Sequence, residues 1–230
     1  MFKISNRQII DVVKYDINSA ILVEKMPALD GSSKYKVNYF VINFNTGEKE
    51  NITKSAYQLS KFGNHYEKIC SQINNYVDCD AVQLNNKKIL TIFSNGESGI
   101  FNSGELEWNG NFSYNDSPLC GLALDGDYFW SFCKKENCVI RYSTENMSVD
   151  LRIGGKDNET FYQPCHISSD EKYIYVCCEP NKIRRIDRKS FVVSDYAEFK
   201  TNVLKFYKFH NNVIISTNNG CYLINENEQQ

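Results

Sequence analysis

Residues 167–176 read Ile-Ser-Ser-Asp-Glu-Lys-Tyr-Ile-Tyr-Val. A short strand-like run, a polar turn carrying Asp170 and a strongly apolar run together signal a β-hairpin. The pattern recurs at 82–93 around Asn85 and Asn86, at 122–132 around Asp125-Gly126-Asp127, and at 209–215 around Asn211 and Asn212. The turn residues Asn85, Asp125, Asp170 and Asn211 are 40, 45 and 41 positions apart.

A period near 40 residues built from short strands is that of a β-propeller blade. The rest of each unit repeats as well. Third strands follow at 98–101, 138–142, 182–186 and 220–224, and more polar fourth strands at 105–108, 148–153 and 191–194. Polarity that rises outward describes a sheet whose inner strands are buried between neighbours. Such a sheet cannot cover both faces alone, so the units must stack around an axis.

Residues 163–187 carry a family resemblance. Pro164, an apolar run, Asp170, the Tyr173-Ile174-Tyr175-Val176 strand, Asn181 and a second apolar run ending at Asp187 resemble a YVTN or NHL-type propeller repeat. Glu171 stands where glycine is usual, and Cys178 where a small residue is common. The resemblance implies fold and not activity, because these repeats serve many functions.

Residues 9–13, 20–23, 36–42 and 48–52 make one further blade with Asn18 at its first turn. From Asn18 to Asn85 is 67 residues, an excess of about 25 over one period. The excess falls at 54–77, where Ala56, Leu59, Phe62, Tyr66, Ile69 and Ile73 recur at helical spacing. Ser55 with Gln58 resembles a capping box, and Gly63 divides the segment into two short helices. A degenerate extra blade is the other reading of 54–77. The last unit lacks a fourth strand, and Phe2-Lys3-Ile4-Ser5 alternates as a half-buried strand does. It is placed beside the C-terminal strand, closing the ring and removing an open edge.

The expectation is an all-β, five-bladed propeller of four-stranded antiparallel blades in one domain. The blades span 8–53, 78–110, 118–153, 163–196 and 203–225 plus 2–5, with a helical insertion at 54–77. Five units of about 40 residues take about 200 of the chain's 230, and the insertion and ends take the rest.

Composition excludes several classes. A net charge of -2 speaks against a general nucleic-acid or anionic-membrane binder. No run approaches the ~20 apolar residues of a membrane helix, and residues 1–7 lack the apolar core of a signal peptide. Five Asn-x-Ser/Thr triplets occur, but with 27 Asn and 27 Ser plus Thr chance alone supplies roughly three. The nine cysteines are an odd number, mostly within apolar stretches, and read as buried thiols in a reducing cytoplasm. Richness in Asn, Lys, Ile and Tyr points to an AT-rich bacterial genome. Cys133-x4-Cys138 has no second pair at ligand spacing, so no metal and no cofactor is expected. Phosphate loops, nucleophile elbows and His-Glu-x-x-His motifs are absent from the sequence.

In such a ring, ligands meet the rim made by loops that lead into the inner strands. Tyr114, Asp116, Tyr162 and Gln163 fall in those loops, and His166 falls near the start of an inner strand, facing the channel. Ordinary loop composition is the leading alternative reading of the first four. Cys120 and Cys165 share a register five residues before Asp125 and Asp170, where small side chains suit a crowded axis. Two functions stay open. One is a non-catalytic module that binds a protein or a small polar ligand at one rim. The other is a lyase or hydrolase for a small polar or carbohydrate substrate, with His166 as general base beside a rim carboxylate.

Overall fold

A computed structural model describes residues 2–27 and 36–226. The expected ring forms. Blade I is β2 (Ile9–Lys14), β3 (Ser19–Met26), β4 (Lys36–Asn43) and β5 (Lys49–Asn51). Helices α1 (Lys54–Phe62) and α2 (Tyr66–Gln72) follow. Blade II is β6 (Cys79–Gln83), β7 (Ile89–Phe93), β8 (Glu97–Asn102) and β9 (Glu105–Asn111). A small hairpin, β10 (Ser113–Tyr114) and β11 (Ser117–Pro118), precedes blade III. Blade III is β12 (Cys120–Asp125), β13 (Tyr128–Cys133), β14 (Cys138–Ser143) and β15 (Val149–Gly154). Blade IV is β16 (Pro164–Ser169), β17 (Tyr173–Cys178), β18 (Lys182–Asp187) and β19 (Val193–Glu198). Blade V is β20 (Val203–Phe209), β21 (Asn212–Thr217) and β22 (Gly220–Asn225), completed by β1 (Phe2–Ser5).

Ring closure is by β1 pairing antiparallel to β22, with Phe2 opposite Leu223 and Ser5 opposite Cys221. Ile4 is buried with Cys221 and Leu223. Gly220 (φ +127°) turns under this strand, and a Cβ there would run into the Ser5 carbonyl. Only glycine allows that approach.

Blades bury alternate faces of each strand against opposite neighbours. Phe129 packs toward blade II and Trp130 toward blade IV. Val176 and Cys178 face blade III, whereas Tyr175 and Cys177 face blade V. Each fully buried large side chain contributes about 1.5–3 kcal/mol. The hairpin turns are held in a repeated way. Trp130 Nε1 donates to Asp125 at 2.9 Å, and the Tyr175 hydroxyl donates to Asp170 at 2.7 Å, each across five residues. Arg188 of blade IV also donates to Asp125 at 2.6 Å and ties the two blades together.

The interface between blades I and II is different, because the helices fill it. Tyr57 packs on Ile21, Val23 and Tyr39 of blade I. Phe62, Ile69 and Ile73 pack on Cys79, Ile89 and Phe101 of blade II. Two expectations for this segment need correction. The helix cap is Thr53, whose hydroxyl accepts from the Ala56 N–H at 3.1 Å, and not Ser55. The inward stripe also excludes Leu59, which is 46% exposed, and instead carries Tyr57 and Lys61 one turn apart. Here the helix buries a polar pair that an apolar periodicity cannot register. Gly63 (φ +70°) ends α1 as expected.

Candidate functional site: the central channel

Inner strands β2, β6, β12, β16 and β20 surround a central channel. We call the end where these strands begin the upper end. The lower half is a cavity of ≈ 550 Å³ reaching from Asp11 and Asp80 to Leu122, Ser168 and Tyr207, with Lys61 of α1 in its wall. The upper half is a cavity of ≈ 360 Å³ bounded by Asp80, Cys120, Phe132, Cys165, His166 and Lys205, among others. Asp80 and His166 line both cavities, so they mark the neck between them.

Each of these groups has a distinct state. Lys61 Nζ meets Asp11 Oδ2 at 2.6 Å and donates to the Cys79 carbonyl at 2.6 Å. The Tyr57 hydroxyl donates to the same Asp11 oxygen at 2.7 Å. Burial alone would raise the Asp11 carboxyl. The Lys61 ammonium, then Lys205, then hydrogen bonds from Lys61 and Tyr57 outweigh burial and hold Asp11 below the ordinary aspartate value. Burial lowers the Lys61 ammonium, but Asp11 reverses this and raises it above the ordinary lysine value. This is a satisfied buried ion pair, and it fixes the helix to the ring.

Asp80 is the opposite case. Burial pushes its carboxyl above the ordinary value, against the pull of Lys205, and Asp11 adds to the rise. Among the described residues its carboxylate has no hydrogen-bond or ion-pair partner, and the same holds for the Lys205 ammonium.

His166 accepts a hydrogen bond at Nδ1 from the Phe206 N–H at 3.3 Å. That bond leaves the proton of the neutral ring on Nε2. Burial, helped by Lys205, holds the imidazole well below its ordinary value, so it is uncharged. Its ring meets Tyr207 edge-on at 4.7 Å. The Tyr207 hydroxyl is buried without a hydrogen-bond partner. Burial, with Asp11 and Asp80 adding, keeps that phenol protonated.

A cleft of ≈ 690 Å³ opens at the upper rim between blades III and IV. Tyr162, Gln163, Lys134 and Lys135 line it, and it shares Ser94, Cys120, Phe132 and Cys165 with the upper cavity. Tyr162 is 51% exposed. Gln163 is held in the left-handed region (φ 42°), and its N–H donates to Asn137 Oδ1 at 2.9 Å. Tyr162 and Gln163 thus line the rim cleft, and His166 lines the upper cavity that shares four residues with it. Tyr114 and Asp116 do not join them. They lie on the β10–β11 hairpin, where the Tyr114 hydroxyl accepts from Arg152 Nη1 at 2.7 Å and Asp116 occupies the turn at φ 58°.

Burial pushes the Cys120 and Cys165 thiols up to about 11, so neither is a ready nucleophile. Cys133 and Cys138 are directly opposite across β13 and β14 and point into the core between blades II and III. Among the described residues no cluster of three His, Cys, Asp or Glu side chains is arranged for a metal. No described helix is long and apolar enough to cross a membrane.

Asp11, Asp80, Lys205 and Tyr207 were not singled out from sequence. One signal for Asp80 was present. It lies five residues before Asn85, the register that Cys120 and Cys165 hold before Asp125 and Asp170.

The fold defines this chain as a five-bladed β-propeller. No protein-family model matches it, and no curated protein matches it. Among solved structures it is similar to the computationally designed Ika4 protein, at TM-score 0.47 and 11% identity over 60% of this chain and 84% of that one. It is also similar to the Myxococcus xanthus glutaminyl cyclase, at TM-score 0.49 and 8% identity over 63% of this chain and 64% of that one. A third is Saccharomyces cerevisiae Sqt1, at TM-score 0.49 and 13% identity over 93% of this chain and 57% of that one. The chain thus spans less than two thirds of the cyclase and of Sqt1. At these scores none of the three bears on function.

Proposed function

We propose that this propeller, built of YVTN or NHL-type repeats, is a binding module. Its ligand is a small polar molecule seated in the upper channel and reached through the cleft beside Tyr162 and Gln163. A five-bladed ring suits a binding role in general. One observation carries the specific reading: Asp80 and Lys205 both line the upper cavity, and neither charged group has a hydrogen-bond or ion-pair partner among the described residues. Charged groups left unpaired in the wall of a cavity are available to a polar ligand. The test is a thermal-shift screen of small polar compounds. Hits that stabilise the protein and fail to stabilise Lys205→Met support the reading. A screen whose hits act equally on both proteins contradicts it.

Catalysis in the same channel is the second reading, and one observation favours it. Asp11 and Asp80 are two carboxyl groups whose surroundings push their proton affinities in opposite directions, the pattern acid–base sites use. The reaction class is a lyase or hydrolase acting on a small polar or carbohydrate substrate. Asp80 replaces His166 as the proton-transfer group, because burial disfavours an imidazolium there. Incubating screen hits with the protein and following them by NMR tests this. Turnover lost in Asp80→Asn supports it, and unchanged ligand spectra rule it out for those compounds.

A further inference from the structure

The uncommitted groups of the upper cavity, Asp80 and Lys205, are of opposite charge type, and this restricts what can bind there. Asp80 offers a carboxylate and Lys205 an ammonium, and both line the upper cavity. Lys205 is the cation that acts most strongly on Asp80, yet no ion pair joins them. The Asp11–Lys61 pair is closed at 2.6 Å and takes no part. His166 adds an Nε2–H donor without adding charge, since its Nδ1 is engaged by the Phe206 N–H.

A lone anion seated at Lys205 would leave Asp80 unpaired beside a second negative charge. A lone cation seated at Asp80 would leave Lys205 unpaired. Either arrangement leaves one charge unmatched, so it is disfavoured relative to a ligand that matches both. A molecule carrying both charges a few bonds apart satisfies both groups at once. The upper cavity, ≈ 360 Å³, lies at the small end of the usual ligand range of about 300–1,000 Å³.

We infer that the channel site takes a small zwitterion of the α-amino-acid class, its ammonium on Asp80 and its carboxylate between Lys205 and the Nε2–H of His166. The inference rests on the channel reading above. It extends that reading from polar ligands in general to one charge pattern. Specificity among amino acids would come from the side chain's path, either up into the cleft toward Tyr162 or down past Tyr207.

The experiment compares L-alanine with its two halves, propionate and ethylamine, and with glycerol, using thermal shift and calorimetric titration on the full chain. The expected result is stabilisation by alanine alone, with affinity at least about tenfold weaker in both Asp80→Asn and Lys205→Met, a loss of about 1.4 kcal/mol. Propionate binding as well as alanine would overturn the zwitterion and indicate a simple anion site. Glycerol binding that Lys205→Met abolishes would overturn it too, while leaving the channel reading intact. No response to any of the four compounds would also overturn it. The channel reading would then be judged separately, from the stability of unliganded Asp80→Asn.

Discussion

Lys61 and Asp11 meet at 2.6 Å between a helix and the innermost strand of blade I. Their contact closes the interface between blades I and II, where helix residues pack on both sheets. Tyr57 and the Cys79 carbonyl complete the site, so every polar atom there is engaged. Removing one partner strands the other. Lys61→Met is expected to cost about 3–5 kcal/mol, because a buried carboxylate then lacks its counter-ion. Lys61→Met combined with Asp11→Leu is expected to recover much of that loss. Urea unfolding of the two variants measures both, and equal losses would mean that the pair is not coupled.

The turn aspartates make a second set of expectations. Asp125 accepts from Trp130 and Arg188, whereas Asp170 accepts from Tyr175 and from the turn N–H groups of Lys172 and Tyr173. Asp125→Ala leaves a buried indole N–H unpaired, at about 1–3 kcal/mol. Tyr175→Phe removes one hydrogen bond without changing packing, at about 0.5–1.5 kcal/mol. Denaturant midpoints in that order support the shared role of these aspartates in the repeat.

Closure of the ring depends on β1. Ile4 is buried against blade V, and Ile4→Ala is expected to cost about 2–5 kcal/mol. Removing residues 1–6 is expected to destabilise more, since it also bares the β22 edge. An unchanged melting temperature in the truncated chain would show that β1 does not close the ring.

His166 sets an acid dependence. The folded imidazole resists protonation, with Lys205 and the Tyr207 ring beside it, whereas the unfolded one takes up a proton near pH 6.5. The unfolded state therefore binds more protons below that value, and stability falls as pH drops. Asp11 adds a fall at lower pH. Its folded value is depressed, so its contribution is present above the ordinary aspartate value and is lost as pH falls through the folded one. Between pH 7 and pH 5 the parent protein is expected to lose more stability than His166→Gln. Parallel melting curves would contradict this.

The fold was legible because it is periodic. Asn85, Asp125, Asp170 and Asn211 mark hairpins at one interval, and a repeat multiplies a weak local signal. Gly63 and the excess length before Asn85 placed the helices. Their inward face was not legible, because Lys61 and Tyr57 read as surface until Asp11 arrives from another blade. The channel was legible at His166, which lies in the best-matched repeat, and at Cys120 and Cys165, whose shared register places them at the axis. Asp80 shares the register of Cys120 and Cys165 before its turn, but as a charge it looks like an ordinary strand-edge residue, and Lys205 carries no such signal. Nothing local shows that five strands will bring them to one axis, or that neither will find a partner there.

That absence of a partner can be tested without knowing any ligand. A carboxyl whose folded value is raised costs stability at every pH above its unfolded value, so an amide in its place removes the cost. Unliganded Asp80→Asn at neutral pH is therefore expected to melt above the parent protein, by about 2–4 °C for each kcal/mol relieved. The gain should shrink as pH falls toward the ordinary aspartate value. A variant that melts below the parent would show that Asp80 is already paired in the free protein and that the channel is core, not a site.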